Sequence, residues 1–344
     1  MKTRRKFRIW KWALIVLLLI IATGVIHTFL YTARLEKAHP PTGSFKVIDG
    51  HKIHYLDIVG PSLKPSGEAL PAVVLIHGAS ANFLDMKIAM GDRLSKRRRV
   101  ILIDRPGHGY SERPADGYKL DIQTELVHGL LEEIGAGKPI IIGQSYGGAF
   151  TLRYALNYPD DISGLMILAG VSHPWPGGIA SHYEVGSKNG LGTLLRWTVF
   201  PYLGATKGPQ YSASTFWPLQ PPAGYHDKAA IGLLFRPHEF KNNAQDIAHL
   251  LEEVKEMEPY YRQISVPVKI LTGTHDTTVS PTIHARKLAQ QIPNADFEFV
   301  ENTGHTLQHS ASKEIDAMLA ALDADIYKIN HPSVPSMNIG IGEQ

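Results

Sequence analysis

Hydrophobic residues along this chain form one long run near the start and, later, short runs separated by amphipathic segments. The long run extends from Trp12 to Ala33 without a formal charge. The short runs begin near residue 72 and alternate with segments of helical periodicity, a pattern typical of parallel strands covered by helices on both faces. We therefore expect an N-terminal transmembrane helix followed by an α/β domain with a doubly wound, mostly parallel sheet.

The globular part is expected to open with a hairpin, because Asp49-Gly50 joins the apolar segments 45–48 and 52–58. The next predicted elements are strand 72–76, helix 82–95, strand 99–104, helix 119–134, strand 139–143, helix 147–157 and strand 163–169. After a gap come strand 266–271, helix 282–291, strand 296–300 and helix 309–323. The core thus comprises residues 45–170 and 263–325, with a loose C-terminal tail over 326–344.

The gap between residues 171 and 262 predicts an inserted helical cap. Its first part, residues 171–224, contains only four charged residues and several large aromatic ones, among them Trp175, Trp197 and Trp217. Such a composition is typical of a cap that lines an apolar pocket or contacts a membrane. Ordinary packing of the cap onto the core explains the same composition, so both readings stay open.

Charge is unevenly distributed along the chain. Residues 1–11 carry six cations and no acid, so the rest of the chain has a net charge of −3 although the whole chain has +3. The basic run 96–99 precedes an apolar strand and is expected to be a solvated helix end. A nucleic-acid partner is therefore not expected. Cysteine is absent, which excludes a thiolate nucleophile, a disulfide and a cysteine metal site.

The cations of residues 1–11 predict the orientation of the anchor 12–33. Positive segments stay in the cytoplasm, so the catalytic body is expected on the opposite, periplasmic or extracytoplasmic, side. Trp10, Trp12 and Tyr31 would lie at the two membrane interfaces. A cleaved secretory signal is the alternative, but no A-x-A-like site follows the run, which is also longer than a typical signal core.

The pentapeptide Gly143-Gln144-Ser145-Tyr146-Gly147 has the form G-x-S-x-G and directly follows the apolar run 139–142. A strand that turns sharply into a helix at this motif exposes the serine in a strained conformation, and the flanking glycines avoid collisions with neighbouring segments. Ser145 is therefore the predicted nucleophile.

A serine hydroxyl needs a base to take its proton and an acid to orient that base. Asp276 and His305 each follow the end of a late predicted strand, which places them at the same sheet edge as Ser145. His309 competes with His305 for the role of base.

These residues resemble the α/β-hydrolase family over about residues 45–325. The resemblance rests on five segments in the family's order, which are His77-Gly78-Ala79-Ser80, the run from Asp104 to Ser111, the G-x-S-x-G motif, and the segments around Asp276 and Gly304-His305. It implies a triad of Ser145, Asp276 and His305. An acid after an earlier strand serves in some members of the family and so competes with Asp276, but the resemblance implies that Asp104 mainly shapes a loop. It also implies an oxyanion hole formed by the backbone N–H groups of Ala79 and Tyr146.

Serine at the motif argues against the haloalkane dehalogenases and soluble epoxide hydrolases of this family, which carry aspartate there. The resemblance instead implies transfer of an acyl group to water through an acyl-enzyme, with no cofactor. The triad, the charge-poor cap and the anchor together favour an apolar or amphiphilic ester as substrate. The sequence shows no cluster of metal ligands. A carbon–carbon bond hydrolase, an amidase, a perhydrolase or an acyltransferase on the same triad stays open, as does a non-catalytic binding protein. The sequence indicates no oligomeric state.

Overall fold

The computed structural model describes residues 2–61 and 70–331, with only the backbone of residues 2–5. Residues 62–69 lie outside this part of the chain, and so do residues 332–344 of the predicted tail. The side chains of the first basic residues also lie outside the described set.

Eight strands form one sheet. They are β1 (Ser44–Ile48), β2 (His51–Ile58), β3 (Val73–Ile76), β4 (Val100–Ile103), β5 (Ile140–Gln144), β6 (Gly164–Leu168), β7 (Val268–Gly273) and β8 (Ala295–Val300). Their order in the sheet is β1-β2-β4-β3-β5-β6-β7-β8. Only β2 pairs antiparallel with both of its neighbours, and all pairings from β4 to β8 are parallel. The predicted hairpin and the predicted mostly parallel sheet are both present.

The helices of the core are α2 (Phe83–Met86), α3 (Asp92–Leu94), α4 (Leu120–Glu133), α5 (Tyr146–Asn157), α11 (Ala285–Gln291), α12 (Leu307–Ser310) and α13 (Ser312–Asn330). Every residue of β3 to β7 is buried. Val74 and Ile76 pack in a cluster with residues of α4 and α5, while Val73 and Leu75 pack in a second cluster with residues of α13. Burial on both faces explains why the strands read as continuous apolar runs.

The cap is inserted between β6 and β7 and is helical, as expected. It contains α6 (Ser181–Gly186), α7 (Leu191–Thr198), α8 (Phe200–Ser214), α9 (Tyr225–Lys228), α10 (Pro237–Met257) and two 3₁₀ segments, Ile231–Phe235 and Glu258–Gln263. Phe200, Leu234, Phe240 and Ala244 form a small apolar core of its own. That core joins α8, the first 3₁₀ segment and α10 into one unit above the sheet edge.

The first helix, α1, extends from Lys2 to Ala38. Within Lys6–Ala38, the most apolar window of 18 residues has a mean hydropathy of 2.6, and 6% of that window is buried. Within the described chain it is the one helix long and apolar enough to cross a membrane, and a signal sequence near the N-terminus passes the same test. The helix is longer than the predicted span 12–33, because the polar residues on either side continue it.

The structure corrects three sequence predictions. Arg98 of the basic run 96–99, which was expected to be solvated, is buried and donates to Asp323 of α13 at 3.0 Å. The helix predicted over 82–95 is interrupted by a π-helical turn, Lys87–Gly91, between α2 and α3. Residues 326–330, which were predicted to belong to the tail, instead continue α13 to Asn330, and Ile326 is buried against the sheet. The apolar spacing of Ile315, Leu319, Leu322 and Ile326 supplies the physical reason for the longer helix.

Candidate active site

Ser145 occupies the turn between β5 and α5. Its backbone has φ 55° and ψ −117°, a left-handed conformation that is costly for any residue with a Cβ. The turn is held because the Ser145 N–H donates to the carbonyl of Leu168 at 3.0 Å, and the Ser145 carbonyl accepts from Gly148 and Val171 at 2.9 and 3.1 Å. The strained turn leaves the serine side chain partly exposed, as expected of a nucleophile elbow.

The two motif glycines are required by close backbone approaches. A Cβ on Gly143 would lie 2.1 Å from the carbonyl oxygen of Gly147, and a Cβ on Gly147 would lie 2.5 Å from that of Ile76. Real Cβ atoms do not approach backbone oxygens so closely, since the contact is well inside van der Waals distance. The tight crossing of α5 over β3 therefore depends on glycine at both positions.

Asp276 and His305 lie in the loops after the neighbouring parallel strands β7 and β8. Nδ1 of His305 is 2.8 Å from Oδ2 of Asp276, and Oδ1 of Asp276 accepts from the backbone N–H groups of Thr278 and Val279 at 2.8 and 2.9 Å. Because a carboxylate accepts here, the imidazole proton lies on Nδ1 and the Nε2 lone pair is free to accept. Nε2 of Gln144 faces that lone pair at 3.4 Å.

The rival residues are engaged elsewhere. Nε2 of His309 is 2.7 Å from Oδ1 of Asp85, not near Asp276. Asp104 accepts from the backbone N–H groups of Phe83 and Tyr110 at 2.8 and 2.9 Å and lies 2.7 Å from Nδ1 of His54. These contacts shape the loop after β4, which is the role that the sequence predicted for Asp104.

The backbone N–H groups of Ala79 and Tyr146 flank the serine. Ala79 follows β3 and Tyr146 is the first residue of α5. Neither N–H has an acceptor within residues 2–61 and 70–331, whereas the next N–H along, that of Ser80, donates to Asn243 at 2.6 Å. Two unpaired donors beside a cavity are the arrangement that an oxyanion hole requires.

A cavity of about 800 Å³ lies between the core and the cap, and Ser145, His305, Ala79 and Tyr146 all line it. Most of its remaining wall is apolar and comes from the cap. Apolar cap residues of that wall include Trp175, Phe200, Leu203, Leu234, Phe235 and Phe240. The residues brought together by the fold thus include every side chain and donor that the sequence predicted for the site.

Similarity to known proteins agrees with this architecture. The model of a family described as the alpha/beta hydrolase fold matches residues 71–189, which contain β3 to β6 and Ser145. A solved α/β-hydrolase-fold protein from Burkholderia ambifaria superposes with a TM-score of 0.66 at 22% identity, covering 81% of this chain and 97% of that one. The chain belongs to the α/β-hydrolase fold family.

Two curated relatives of this α/β hydrolase carry different activities in their names. A 2-hydroxymuconate semialdehyde hydrolase of Pseudomonas putida is 28% identical over 271 residues, or 76% of this chain and 92% of the relative. A monoacylglycerol lipase of Xenopus laevis is 27% identical over 252 residues, or 71% of this chain and 72% of the relative. Membership of the family therefore does not determine which bond is cleaved. The choice between the two activities depends on the cavity of this chain.

A buried ionic cluster, which the sequence did not indicate, connects the hydrolase core to the cap. Asp246 of α10 is fully buried and accepts from Arg105 and Arg113 at 2.7 Å each, while Nε2 of His108 lies 2.9 Å away. Burial raises the pKa of this carboxyl, but the guanidinium groups and His108 outweigh burial and hold the pKa well below its ordinary value. We call Arg105, His108, Arg113 and Asp246 the Asp246 cluster. The Arg105 guanidinium also lies 4.1 Å over the ring of Tyr146.

A second group missed by the sequence forms a polar end of the cavity. Asp85 of α2 is buried and accepts from Tyr225 at 2.8 Å and from Gln308 at 3.1 Å, in addition to its contact with His309. Oε1 of Gln308 is buried without a hydrogen-bond partner in the described part of the chain. Asp85, Tyr225 and Gln308 line the cavity. No group of three or more histidine or acidic side chains that could hold a metal occurs among the described residues.

His284 is a buried histidine on the cavity wall. Its Nδ1 accepts the backbone N–H groups of Ser172 and His173 at 3.1 and 3.2 Å, which places the imidazole proton on Nε2. Burial, with repulsion from His173, lowers the pKa of His284 to about 4. The ring is therefore neutral at pH 7 and presents an N–H donor.

Acidification is expected to destabilise the hydrolase through His284. Between pH 6.5 and 4 the unfolded chain binds a proton at this residue that the folded chain does not, so the free energy of unfolding falls as the pH drops through that window. The loss from this residue amounts to about 2 kcal/mol between pH 6.5 and 4.5. Urea unfolding of the wild type and of His284→Gln at both pH values measures it. A loss of equal size in both proteins would contradict the assignment.

Proposed function

We propose that this chain is a membrane-anchored serine hydrolase that cleaves an ester, or a related acyl bond, of an uncharged apolar or amphiphilic substrate. Ser145 is the nucleophile, His305 the general base and acid, and Asp276 the residue that orients His305. The observation that carries the proposal is the convergence of the strained Ser145 turn and the Asp276–His305 pair on one cavity.

The first half of the reaction forms an acyl-enzyme. Oγ of Ser145 attacks the substrate carbonyl while Nε2 of His305 takes the hydroxyl proton, because Nδ1 is held protonated by Asp276. The N–H groups of Ala79 and Tyr146 donate to the oxygen that becomes negative, and each such donor contributes about 3 to 4 kcal/mol to transition-state stabilisation. His305 then delivers its proton to the departing alcohol.

The second half of the reaction is hydrolysis of the acyl-enzyme. His305 takes a proton from water as the water oxygen attacks the acyl carbonyl, and then returns that proton to Oγ of Ser145 as the carboxylic acid leaves. The same two N–H groups serve both halves. Apart from substrate and water, the chain itself supplies every group used in the two halves.

The cavity wall favours an uncharged substrate. Among the described residues that line it there is no lysine or arginine, and its one carboxyl group is Asp85. A substrate carboxylate would enter without a cationic partner, which is costly in an apolar cavity. Apolar walls with Asp85, Tyr225 and Gln308 at one place fit an amphiphile, whose polar group is hydrogen-bonded there while its chain contacts the cap.

Hydrolysis of a carbon–carbon bond is the second candidate. The relationship to the 2-hydroxymuconate semialdehyde hydrolase of Pseudomonas putida supports it. A muconate is a carboxylate, however, and the absence of cations from the described cavity wall argues against that substrate class. The relationship to the monoacylglycerol lipase of Xenopus laevis supports the ester reading.

The anchor completes the proposal. The apolar helix α1 precedes the globular body, and the first 11 residues of the chain, at the other end of α1, carry six cations. On this basis the N-terminus is cytoplasmic, α1 crosses the membrane uncleaved, and the hydrolase lies on the opposite side.

Labelling with a fluorophosphonate tests the chemistry. The full-length protein in detergent is expected to react with one equivalent of the probe, and the modified peptide is expected to contain Ser145. In parallel, kcat/KM for p-nitrophenyl esters is expected to rise from acetate to octanoate, since each buried CH₂ contributes about 0.8 kcal/mol. Modification of a different serine, or faster turnover of 2-hydroxymuconate semialdehyde than of every ester, would reject the ester hydrolase.

A further inference from the structure

The helix α1 is packed against the cap over its C-terminal half. Thr28 is fully buried, and its hydroxyl donates to the carbonyl of Trp197 at 2.8 Å. Gly24 is close enough to Thr198 that a Cβ on it would lie 2.9 Å from the Thr198 Cβ. The ring of His27 lies 5.8 Å from that of Tyr202. The positions of α7 and α8 are thus fixed relative to α1.

These contacts determine the depth of the cap relative to a membrane. If Trp12 to Ala33 crosses the hydrocarbon core, Gly24 and Thr28 lie nine and five residues from its outer end. At 1.5 Å per residue this is roughly 14 and 8 Å below the outer boundary. Trp197 and Thr198, which contact them, must lie within the same leaflet.

The outward surface of α7 and α8 has the composition that this depth requires. Its exposed side chains are mostly apolar or aromatic, and they include Leu191, Leu194, Val199, Tyr202, Leu203 and Tyr211. The two helices carry only two charged residues. Arg196 is buried and donates to the carbonyls of Gly186 and Lys188. Lys207 is exposed, and the flexible apolar stem of a lysine allows its ammonium group to lie away from apolar surroundings.

The same helix forms part of the cavity mouth. Leu203 and Tyr211 of α8 line the cavity and are also exposed, at 39% and 62%. Phe200 and Gly208, on the inner face of α8, line the cavity from within. A molecule that leaves the hydrocarbon beside α8 therefore meets the opening without crossing water.

We infer that the outer face of α7 and α8 is embedded in the outer leaflet beside α1, and that the substrate enters the cavity laterally from the lipid. This inference rests on the membrane anchor of the proposed function. The occupant of the face is the bilayer, because the exposed apolar surface of the cap is continuous with that of α1, and a helix that crosses a membrane is itself surrounded by lipid.

The absence of cysteine from the chain makes the test direct. Single cysteines are introduced by Leu194→Cys or Tyr202→Cys into the full-length protein, labelled with bimane, and reconstituted in phosphatidylcholine vesicles with or without brominated acyl chains. Tyr260→Cys is the matched control, since Tyr260 is equally exposed but lies in a segment that packs against α5 and α11. Leu18→Cys reports on the anchor.

Brominated lipid is expected to quench the labels at positions 18, 194 and 202 and to leave the label at position 260 unchanged. Quenching at position 18 alone would show that the anchor is in the membrane while the cap is not, which overturns the inference and leaves the proposed function standing. Absence of quenching at position 18 as well would reject the membrane anchor. Turnover of p-nitrophenyl acetate by the same samples reports separately on the chemistry.

A functional arm uses charge insertion. Leu194→Glu is expected to lower the rate on a long-chain ester dissolved in vesicles by roughly tenfold or more, because a carboxylate on this face opposes insertion into lipid. Its rate on p-nitrophenyl acetate in detergent is expected to stay at the wild-type level, and Tyr260→Glu to leave both rates unchanged. An equal fall on both substrates would show that the charge at position 194 does not act through contact with lipid, which contradicts lateral entry.

Discussion

Replacing Ser145 with alanine is expected to lower kcat for ester hydrolysis by roughly 10⁴- to 10⁶-fold. The variant removes the atom that forms the acyl-enzyme and leaves the Asp276–His305 pair and the two unpaired N–H groups in place. Alanine keeps the Cβ that already sits at φ 55°, so no strain is added and the melting temperature is expected to stay at the wild-type value. Initial rates with p-nitrophenyl octanoate measure the effect.

Ser214→Ala is the matched control for this variant. Ser214 ends α8 and is exposed, with its hydroxyl donating to the carbonyl of Tyr211. Its replacement is expected to change the rate by less than about twofold, in line with the small effects of surface substitutions. If Ser145→Ala kept a tenth or more of the wild-type rate, the nucleophile would have to be another residue.

The largest expected loss of stability follows from Asp246→Asn. The amide removes the negative charge that faces Arg105 and Arg113, and Arg105 is fully buried. A buried charge left without its partner costs about 3 to 5 kcal/mol. Urea unfolding at pH 7 measures the difference. Because the folded pKa of Asp246 is depressed, its contribution is present above the unfolded pKa near 3.9 and falls as the pH drops below that value.

Glu252→Gln provides the comparison on the same helix. Glu252 is exposed on α10, and its carboxylate accepts from Lys255 at 2.7 Å. An exposed pair of this kind contributes less than about 1 kcal/mol, so the variant is expected to unfold close to the wild type. Equal losses of unfolding free energy in the two variants would mean that the Asp246 cluster contributes no more to stability than an exposed ion pair does.

The sequence predicted the elements whose signals are local. Each strand from β3 to β7 is a short apolar run because helices cover both faces of the sheet, and such a run is visible without knowledge of its neighbours. Ser145, Asp276 and His305 could be predicted as partners because each lies within five residues of a strand end. Parallel strands bring those three chain segments to one edge, so a linear pattern was sufficient to predict that they lie close together.

Contacts between residues far apart in the sequence leave no local pattern of this kind. Asp246 meets Arg105 across 141 residues, and nothing in the spacing around Asp246 distinguishes it from the other acids of an amphipathic helix. Asp85 and His309 are separated by 224 residues, and their pairing depends on how α12 follows the loop of His305. The position at which α13 ends could have been predicted more closely from the sequence, since Ile326 continues the apolar spacing of that helix.

The Asp246 cluster has a consequence for chimeric enzymes. It joins α10 to the loop after β4, so α10 belongs mechanically to the catalytic core although the chain places it in the cap. A chimera designed to exchange the substrate range of two relatives should therefore replace α6 to α9 and rejoin the two sequences before Pro237. A crossover at β7 would also transfer the donor's α10. The donor's residue at position 246 would then face the recipient's arginines at positions 105 and 113, with which it does not necessarily pair.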